Sequence, residues 1–323
     1  MLDGIKMDES WILELKALSI KTSFTQADFN TALTLKVLNI PSKLYKYRSI
    51  SDYSLYNLYT DTLHLSLASD FNDPYDCALT FDTQFGLKEY EAFTLNSFNF
   101  TDEVLQEIKH SADPFYALLD NILKAHPKLT KAEKKQYDKL IKNHETKKAS
   151  TLKKFNDVIR SQIKICSLSE RIDSLLMWGH YASSHTGFAM EYDFSGTPIV
   201  HHLAAYLWPV LYDNKLYDAS HILNNFDPDN WSLNFWMRAL PALHKSCEWQ
   251  YEKEWRLVVP GSTKKIPDGN IDAGKPTAIY LGAKISDEDA AVVSFMAKTK
   301  HIPVFRMRMS ATEFRMIYEK IKF

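Results

Sequence analysis

This 323-residue sequence predicts an α+β fold with a mixed, mostly antiparallel sheet, and three observations predict it. Short segments of alternating apolar and polar residues recur along the chain, interrupted by stretches with helical spacing. Phe, Tyr and Trp make up 13% of the residues, which suits a strand-containing core and aromatic-walled clefts. Only nine glycines are present, too few for a glycine-rich nucleotide-binding architecture. With 45% apolar residues and a net charge of −1, the composition is that of a soluble globular chain rather than a disordered one.

The elements follow in order. Leu13, Leu15, Leu18 and Ile20 recur at helical spacing and Ala27 to Leu38 continues the pattern, so residues 9–38 read as one or two helices, ended by Pro41. Leu44 to Arg48 alternates as a strand. Ser51 to Tyr59 reads as a helix with Ser51 as N-cap. Leu63 to Leu67 is a second strand, stopped by the Asn72-Asp-Pro74 turn. Residues 86–160 have little strand character and read as a helical insertion. Strands resume at 162–168, 187–194 and 204–211. Residues 215–247 look helical, with Trp231, Phe235, Trp236 and Leu240 as an apolar stripe. Residues 249–260 and 277–281 read as strands, and Asp287 to Thr299 as a helix capped by Ser286. A strand over 303–309 and a helix over 312–320 close the chain. With no repeat and no low-complexity linker, residues 1–323 read as a single α+β domain carrying the insertion.

The distal half of the insertion is strongly basic. From Lys124 to Lys154 eleven lysines face only Glu133, Asp138 and Glu145, a local charge of +8. Lysine at this density most often marks a solvated helix face. The functional alternative is a phosphate-contacting arm for nucleic acid, with thin aromatic support from Tyr137 and Phe155. A protein partner is the other expectation for this surface.

Three separated segments are polar where core strands would be apolar. The first is Leu44-Tyr-Lys-Tyr-Arg48 with Ser66 to Asp76. The second is Lys164 to Ala182, with Ser167, Ser169 and Glu170 at a strand end and Met177, Trp178, His180 and Tyr181 on a short helix. The third is Trp249 to Val258. Lys46 and Arg48 share one strand face, which is either a solvated edge or a cationic clamp for phosphate or carboxylate. If 249–260 is one strand, Tyr251, Lys253, Trp255 and Leu257 share an apolar face, and Glu252, Glu254 and Arg256 the other. That polar face is either solvated, or a site in which Arg256 orients one carboxylate while the other acts on substrate.

Other function classes lack support. Cys77, Cys166 and Cys247 have no short spacing and read as reduced thiols of a cytoplasmic protein. The polar, acidic N-terminus is not that of a signal peptide, and no window approaches a membrane helix. His180 and His185 are five apart, not the three or four that metal ligands on a helix want, so no metal is expected. No Walker loop, dinucleotide fingerprint, zinc signature or nucleophile elbow occurs.

Four patterns resemble the bacterial domain-of-unknown-function family 2971. They are Leu44-Tyr-Lys-Tyr-Arg48; Ser66-Leu-Ala-Ser-Asp-Phe-Asn-Asp-Pro-Tyr-Asp76; Cys166-Ser-Leu-Ser-Glu170 with Met177-Trp-Gly-His-Tyr-Ala182 and Gly187; and Tyr251-Glu-Lys-Glu-Trp-Arg256. They span residues 40–260, and the family brings no activity with it. More distantly, the order Arg48 (or Lys46), Ser167/Ser169 and Glu254 is similar to the three motifs of the ADP-ribosyltransferase fold, and Glu252-x-Glu254 resembles its paired-glutamate motif. No His-Gly-Thr follows the first strand, and the middle motif carries Glu170, so the likeness is partial.

That second resemblance implies a split sheet, NAD as cofactor, and transfer of ADP-ribose to nucleic acid or protein, in a bacterial toxin or phage-defence effector. Glu254 would stabilise the oxocarbenium character that develops on the ribose. Arg48, with Lys46 as substitute, would pair with the pyrophosphate. Tyr45, Tyr47 or Tyr181 would stack on nicotinamide, Trp178 would wall the pocket with His180 nearby, and Ser167 or Ser169 would bond the ribose. The alternative is a non-catalytic nucleotide- or nucleic-acid-binding sensor using the same cleft. A third reading makes all four patterns buried structural networks.

Overall fold

The computed structural model describes residues 10–21, 24–80, 100–111, 114–125, 128–195, 202–219, 236, 238–260 and 269–321. In chain order they form α1 (Ser10–Ser19), α2 (Gln26–Leu38), β1 (Leu44–Arg48), α3 (Asp52–Thr60), β2 (Thr62–His64), β3 (Ser66–Leu67), β4 (Leu79–Thr80), α4 (Asp102–His110), α5 (Pro114–Ala125) and α6 (Lys131–Gln162). Then come β5 (Ile163–Ser169), α7 (Leu175–Tyr181), β6 (Phe188–Tyr192), α8 (His202–Tyr206), β7 (Leu207–Pro209), β8 (Leu211–Asp213) and β9 (Tyr217–Asp218). β10 (His244–Ser246), β11 (Glu254–Pro260), β12 (Asn270–Asp272), β13 (Ala278–Leu281), α9 (Asp287–Thr299), β14 (Val304–Met309) and β15 (Met316–Lys320) complete the chain. By packing, the chain divides into two units: Met1–Ala78, Arg160–Leu216 and Phe226–Phe323 make the first, Leu79–Ile159 and Tyr217–Asn225 the second.

The first unit is built on a sheet of order β15-β14-β13-β6-β1-β5-β11-β7, with β3 also paired to β5. Every neighbour in it is antiparallel except β13 and β14, so the fold is α+β as its sequence predicts. Alternation divides its side chains between two faces. Leu44, Cys166, Leu168, Met190, Leu257 and Ile279 pack in one core. Tyr45, Tyr47, Ala189, Tyr280 and Met307 pack in another with Trp178 of α7. Full burial of a leucine such as Leu44 or Leu257 contributes roughly 1.5–3 kcal/mol. Ser51 and Ser286 cap α3 and α9, accepting from Ser54 N and Asp289 N.

The sheet is nearly open between β1 and β5. β1 meets β6 over five residue pairs and β11 meets β5 over seven, yet β1 and β5 share only Tyr45↔Ser169. Further along the same edge of β5, β3 takes over at Ile165 and Lys164. The interval at Ser167 is bridged by a side chain instead of a strand: Lys46 Nζ donates to the Ser167 carbonyl at 3.0 Å. At the other end of β1, Gly187 lets β6 begin, because a Cβ there would collide with the Arg48 carbonyl.

The second unit holds α4, α5, most of α6 and the parallel β4–β9 pair. Ile108, Phe115, Leu118 and Leu119 are buried in it. The Asn156 side chain accepts from Leu79 N and donates to Leu79 O, tying α6 to β4. Along α6, Lys131, Lys134, Lys135, Lys139, Lys142, Lys147, Lys153 and Lys154 are exposed.

Several expectations need correction. The closing helix is the strand β15, because Met316 to Lys320 pair with Met309 to Phe305 and so complete the sheet edge. The stretch expected as one strand over 249–260 begins as a 3-10 turn, Cys247–Glu252, and becomes extended only at Glu254. Residues 204–206 are helical and the strand starts at Leu207. The strand expected at 63–67 is two, one on β12 and one on β5. In the expected helical segment 215–247, Tyr217–Asp218 and His244–Ser246 are strands and Leu240–Leu243 a 3-10 turn. Residues 220–235 and 237, with Trp231 and Phe235 of the expected stripe, lie outside the described residues, as do 86–99 of the insertion.

Candidate functional site

A cavity of about 290 Å³ lies at the gap between β1 and β5, at the lower edge of the size of small-molecule sites. Tyr45, Lys46 and Tyr47 line one side. Ser167 and Ser169 of β5, Tyr181 of α7, and Lys245, Trp249, Glu252 and Glu254 line the other, with Asp70, Phe71, Asn72, Asp73 and Asp76 from the loop after β3. All three polar segments of the sequence therefore meet here. Tyr45, Ser169 and Glu254 stand side by side across β1, β5 and β11, and Arg256 stands opposite Ser167.

The β11 wall is an ion network. Arg256 is fully buried and all five of its N–H groups donate. Two go bidentate to Asp76 at 2.7 Å each, two go to Glu254 at 2.8 and 3.0 Å, and one goes to the Ala242 carbonyl at 2.7 Å. Lys245 Nζ donates to Glu252 at 2.6 Å and to Glu254 at 2.9 Å, with Asp76 at 3.8 Å. The Tyr181 hydroxyl donates to the other Glu252 oxygen at 2.6 Å.

Glu252 joins this network through a backbone turn. It ends the 3-10 turn, and Lys253 then adopts φ 43°, in the left-handed region. The Ser169 hydroxyl donates to the Glu252 carbonyl at 2.5 Å, and Glu170 N to the Lys253 carbonyl at 3.1 Å. The turn is thus stapled to the end of β5, and both glutamates converge on Lys245.

The two glutamates are driven apart in acidity. Burial would raise the Glu254 carboxyl, but the Arg256 and Lys245 charges outweigh it, and with the Ser167 hydroxyl they hold it far below the usual carboxylate range. Glu252 moves the other way: burial and repulsion from Glu254 push its carboxyl up against the pull of Lys245. Lys245 stays cationic, its ammonium raised by the surrounding carboxylates in spite of burial. Lys46 is the opposite case, its ammonium lowered by burial and then by Arg48.

Of the expected site residues, Lys46, Tyr47, Ser167, Ser169, Tyr181, Glu252 and Glu254 line this cavity. Four do not. Arg48 sits on the Leu44 face of β1 and its guanidinium donates to Asn57, so it is no pyrophosphate clamp in this cavity. Trp178 is fully buried in the core, its indole donating to the Ile172 carbonyl. His180 is on the exposed face of α7. Arg256 lies behind the glutamates with every donor taken. Glu170, foreign to the motif pattern, accepts the Trp255 indole N–H at 2.7 Å and so braces β11.

Sequence reasoning missed Lys245 and Tyr212, whose hydroxyl accepts from Glu254 N at 2.9 Å. Nothing about a lone lysine in His244-Lys-Ser246 marks it. Asp76 stood at the end of a quoted pattern, and its role needed only a buried arginine to pair with.

No helix of the described residues is long and apolar enough to cross a membrane. No curated protein and no solved structure matches this chain. Residues 177–257 match the model of a family described as "Protein of unknown function (DUF2971)", a stretch that supplies Tyr181, Lys245, Glu252, Glu254 and Arg256 to the site.

Proposed function

We propose that this cavity cleaves the N-glycosidic bond of a nucleotide, with NAD as substrate and ADP-ribosyl transfer to a nucleic acid or protein as outcome. The observation that carries the reading is the pair of glutamates at one cavity wall, Glu254 held ionised and Glu252 made a stronger base. Environments that push two carboxylates apart assign them different roles.

The wall suits the charge that moves in this reaction. Nicotinamide in NAD is a pyridinium cation before the bond breaks, and the ribose carries the positive charge as it breaks. Five carboxylates line the cavity against two lysines, and Phe71, Trp249 and the tyrosines offer ring faces. The bonding pair leaves with nicotinamide, which departs neutral. Glu254 stabilises the oxocarbenium ribose electrostatically. The acceptor then attacks C1′, and its proton passes to Glu252. The acidic wall is a poor host for pyrophosphate, so in this reading only the nicotinamide-ribosyl end enters.

A second reading has its own support. Glu254 and Arg256 are saturated by protein partners, which suits a rigid binding site without chemistry, and the exposed lysines of α6 suit a nucleic-acid partner.

Nicotinamide release from NAD by wild type and Glu254→Gln, with and without DNA, RNA and cell lysate, separates them. Both proteins are first checked for folding by circular dichroism at the assay temperature. Glycosyl transfer predicts release by wild type and a loss of about 100-fold or more in the variant. Equal release by the two removes Glu254 from the chemistry, and no release from either, both folded, favours the binding module.

A further inference from the structure

Lys46 is a cavity cation that takes no part in the reaction above. Its side chain is half-buried, lines the cavity, and donates to a backbone carbonyl, that of Ser167. The Cys166 thiol is its other hydrogen-bonding neighbour; the Arg48 charge disfavours its ammonium, while Cys166 and, more weakly, Glu254 favour it. Among the described residues it forms no ion pair, whereas Lys245 across the cavity has three carboxylates within 4 Å. A lysine that burial desolvates beside another cation, with no carboxylate in ion-pair contact, gives up its proton more readily, and its free amine is a nucleophile toward carbonyl carbon. The lowered ammonium agrees with this geometry.

We propose that Lys46 is a carbonyl-capturing amine, and that the cavity holds an open-chain aldose as an imine on Lys46 Nζ. An aldose fits because the other walls are rich in acceptors for hydroxyl groups: Asp73 and Asn72 on the loop after β3, and Glu252 opposite. The amine attacks the aldehyde carbon and returns one proton to solvent as the carbonyl oxygen takes one up, giving a carbinolamine; its hydroxyl then leaves as water with the remaining amine hydrogen, giving a C=N bond. This goes beyond glycosyl transfer and does not require it.

The test is reductive trapping. The full chain is incubated with D-glyceraldehyde and sodium cyanoborohydride, which delivers hydride to the imine carbon and leaves a secondary amine. Peptide mapping then finds lysines heavier by the mass of the aldose less one oxygen. Lys46 is expected to label about tenfold or more faster than exposed Lys139 and Lys142 at pH 7, and its rate is expected to rise less steeply than theirs between pH 7 and 9. D-Ribose is expected to slow labelling at Lys46 alone. Labelling of Lys46 no faster than the exposed lysines, or a pH profile parallel to theirs, overturns the inference as general glycation, and indifference to ribose overturns the aldose assignment. Trapping uses no NAD. Capture without NAD cleavage therefore overturns only the glycosyl-transfer reading, and NAD cleavage without capture overturns only this one.

Discussion

On the β11 wall of the cavity, Arg256 divides its donors between Asp76, Glu254 and a carbonyl, and Lys245 bridges the two glutamates. On the β1 wall, Lys46 has one carbonyl and a thiol. Lys245 is the more buried of the two lysines, so burial is not by itself what lowers Lys46. The number of opposite charges within reach decides whether a lysine there keeps its proton, and it moves Lys245 and Lys46 in opposite directions.

The largest break in this comparison is expected from Arg256→Met. It would leave Asp76 and Glu254 buried with only Lys245 to offset them, and removing one partner of a buried ion pair costs about 3–5 kcal/mol. Lys46→Met breaks no ion pair and is expected to change stability by about 1 kcal/mol or less, the scale of one hydrogen bond. Urea denaturation of the two variants checks both. Equal losses would mean that Lys46 is also held by charge.

A smaller effect separates the glutamates by pH. Glu254 has its folded carboxyl below the unfolded value, so its stabilisation is complete above about pH 4.5 and fades as pH falls further. Glu252 has its folded carboxyl above the unfolded value, so wild type gains stability as pH falls from neutral toward about 4.5. Stability of wild type relative to Glu254→Gln is therefore expected to shrink below pH 4.5, and relative to Glu252→Gln to grow on the way down to it. Each change is of order 1–2 kcal/mol. Denaturation midpoints between pH 3 and 7 measure both. Slopes of the same sign would show that the pair shares one environment.

The contrast between the walls was half legible in the sequence. Alternation exposed β1, the strands at β5, β6 and β14 were also legible, and the capping serines exposed α3 and α9, because those signals are local. Alternation also put Glu252, Glu254 and Arg256 on one strand face. They do converge, but Glu252 arrives through a 3-10 turn and a left-handed Lys253, which period-two reading cannot describe. The helix expected over 312–320 is instead the strand β15, because the choice is made by pairing with β14, a tertiary fact. Lys245 was invisible for the same reason: three carboxylates gather around it from a distant loop, a turn and a strand. Arg48 and Lys46 looked equivalent on one strand face, and only the opening between β1 and β5 gives the cavity to one of them.

A third lysine sharpens the rule at the smallest scale. Lys36 of α2 is fully buried away from the cavity, donating to the Ala204 and Ala205 carbonyls at 2.7 and 3.4 Å with its ammonium 4.0 Å from the Trp208 ring centre. It has no carboxylate in an ion pair among the described residues, and burial lowers its ammonium from 10.5 to about 7. Between those two values the unfolded chain binds a proton that the folded chain has released. Stability therefore climbs as pH rises from about 7, by up to about 1.4 kcal/mol per pH unit for this single group. Lys36→Met removes that slope, so wild type minus variant should rise between pH 7 and 9. The same difference for Lys46→Met should also rise, and for Lys245→Met it should stay flat, because Lys245 keeps its proton throughout that window. Urea midpoints at pH 7, 8 and 9 for the three variants read all of this. A flat Lys36 difference would mean that two carbonyls and an indole ring hold an ammonium as well as three carboxylates do, and counter-ion number would no longer explain how the cavity keeps one lysine charged and leaves the other free to react.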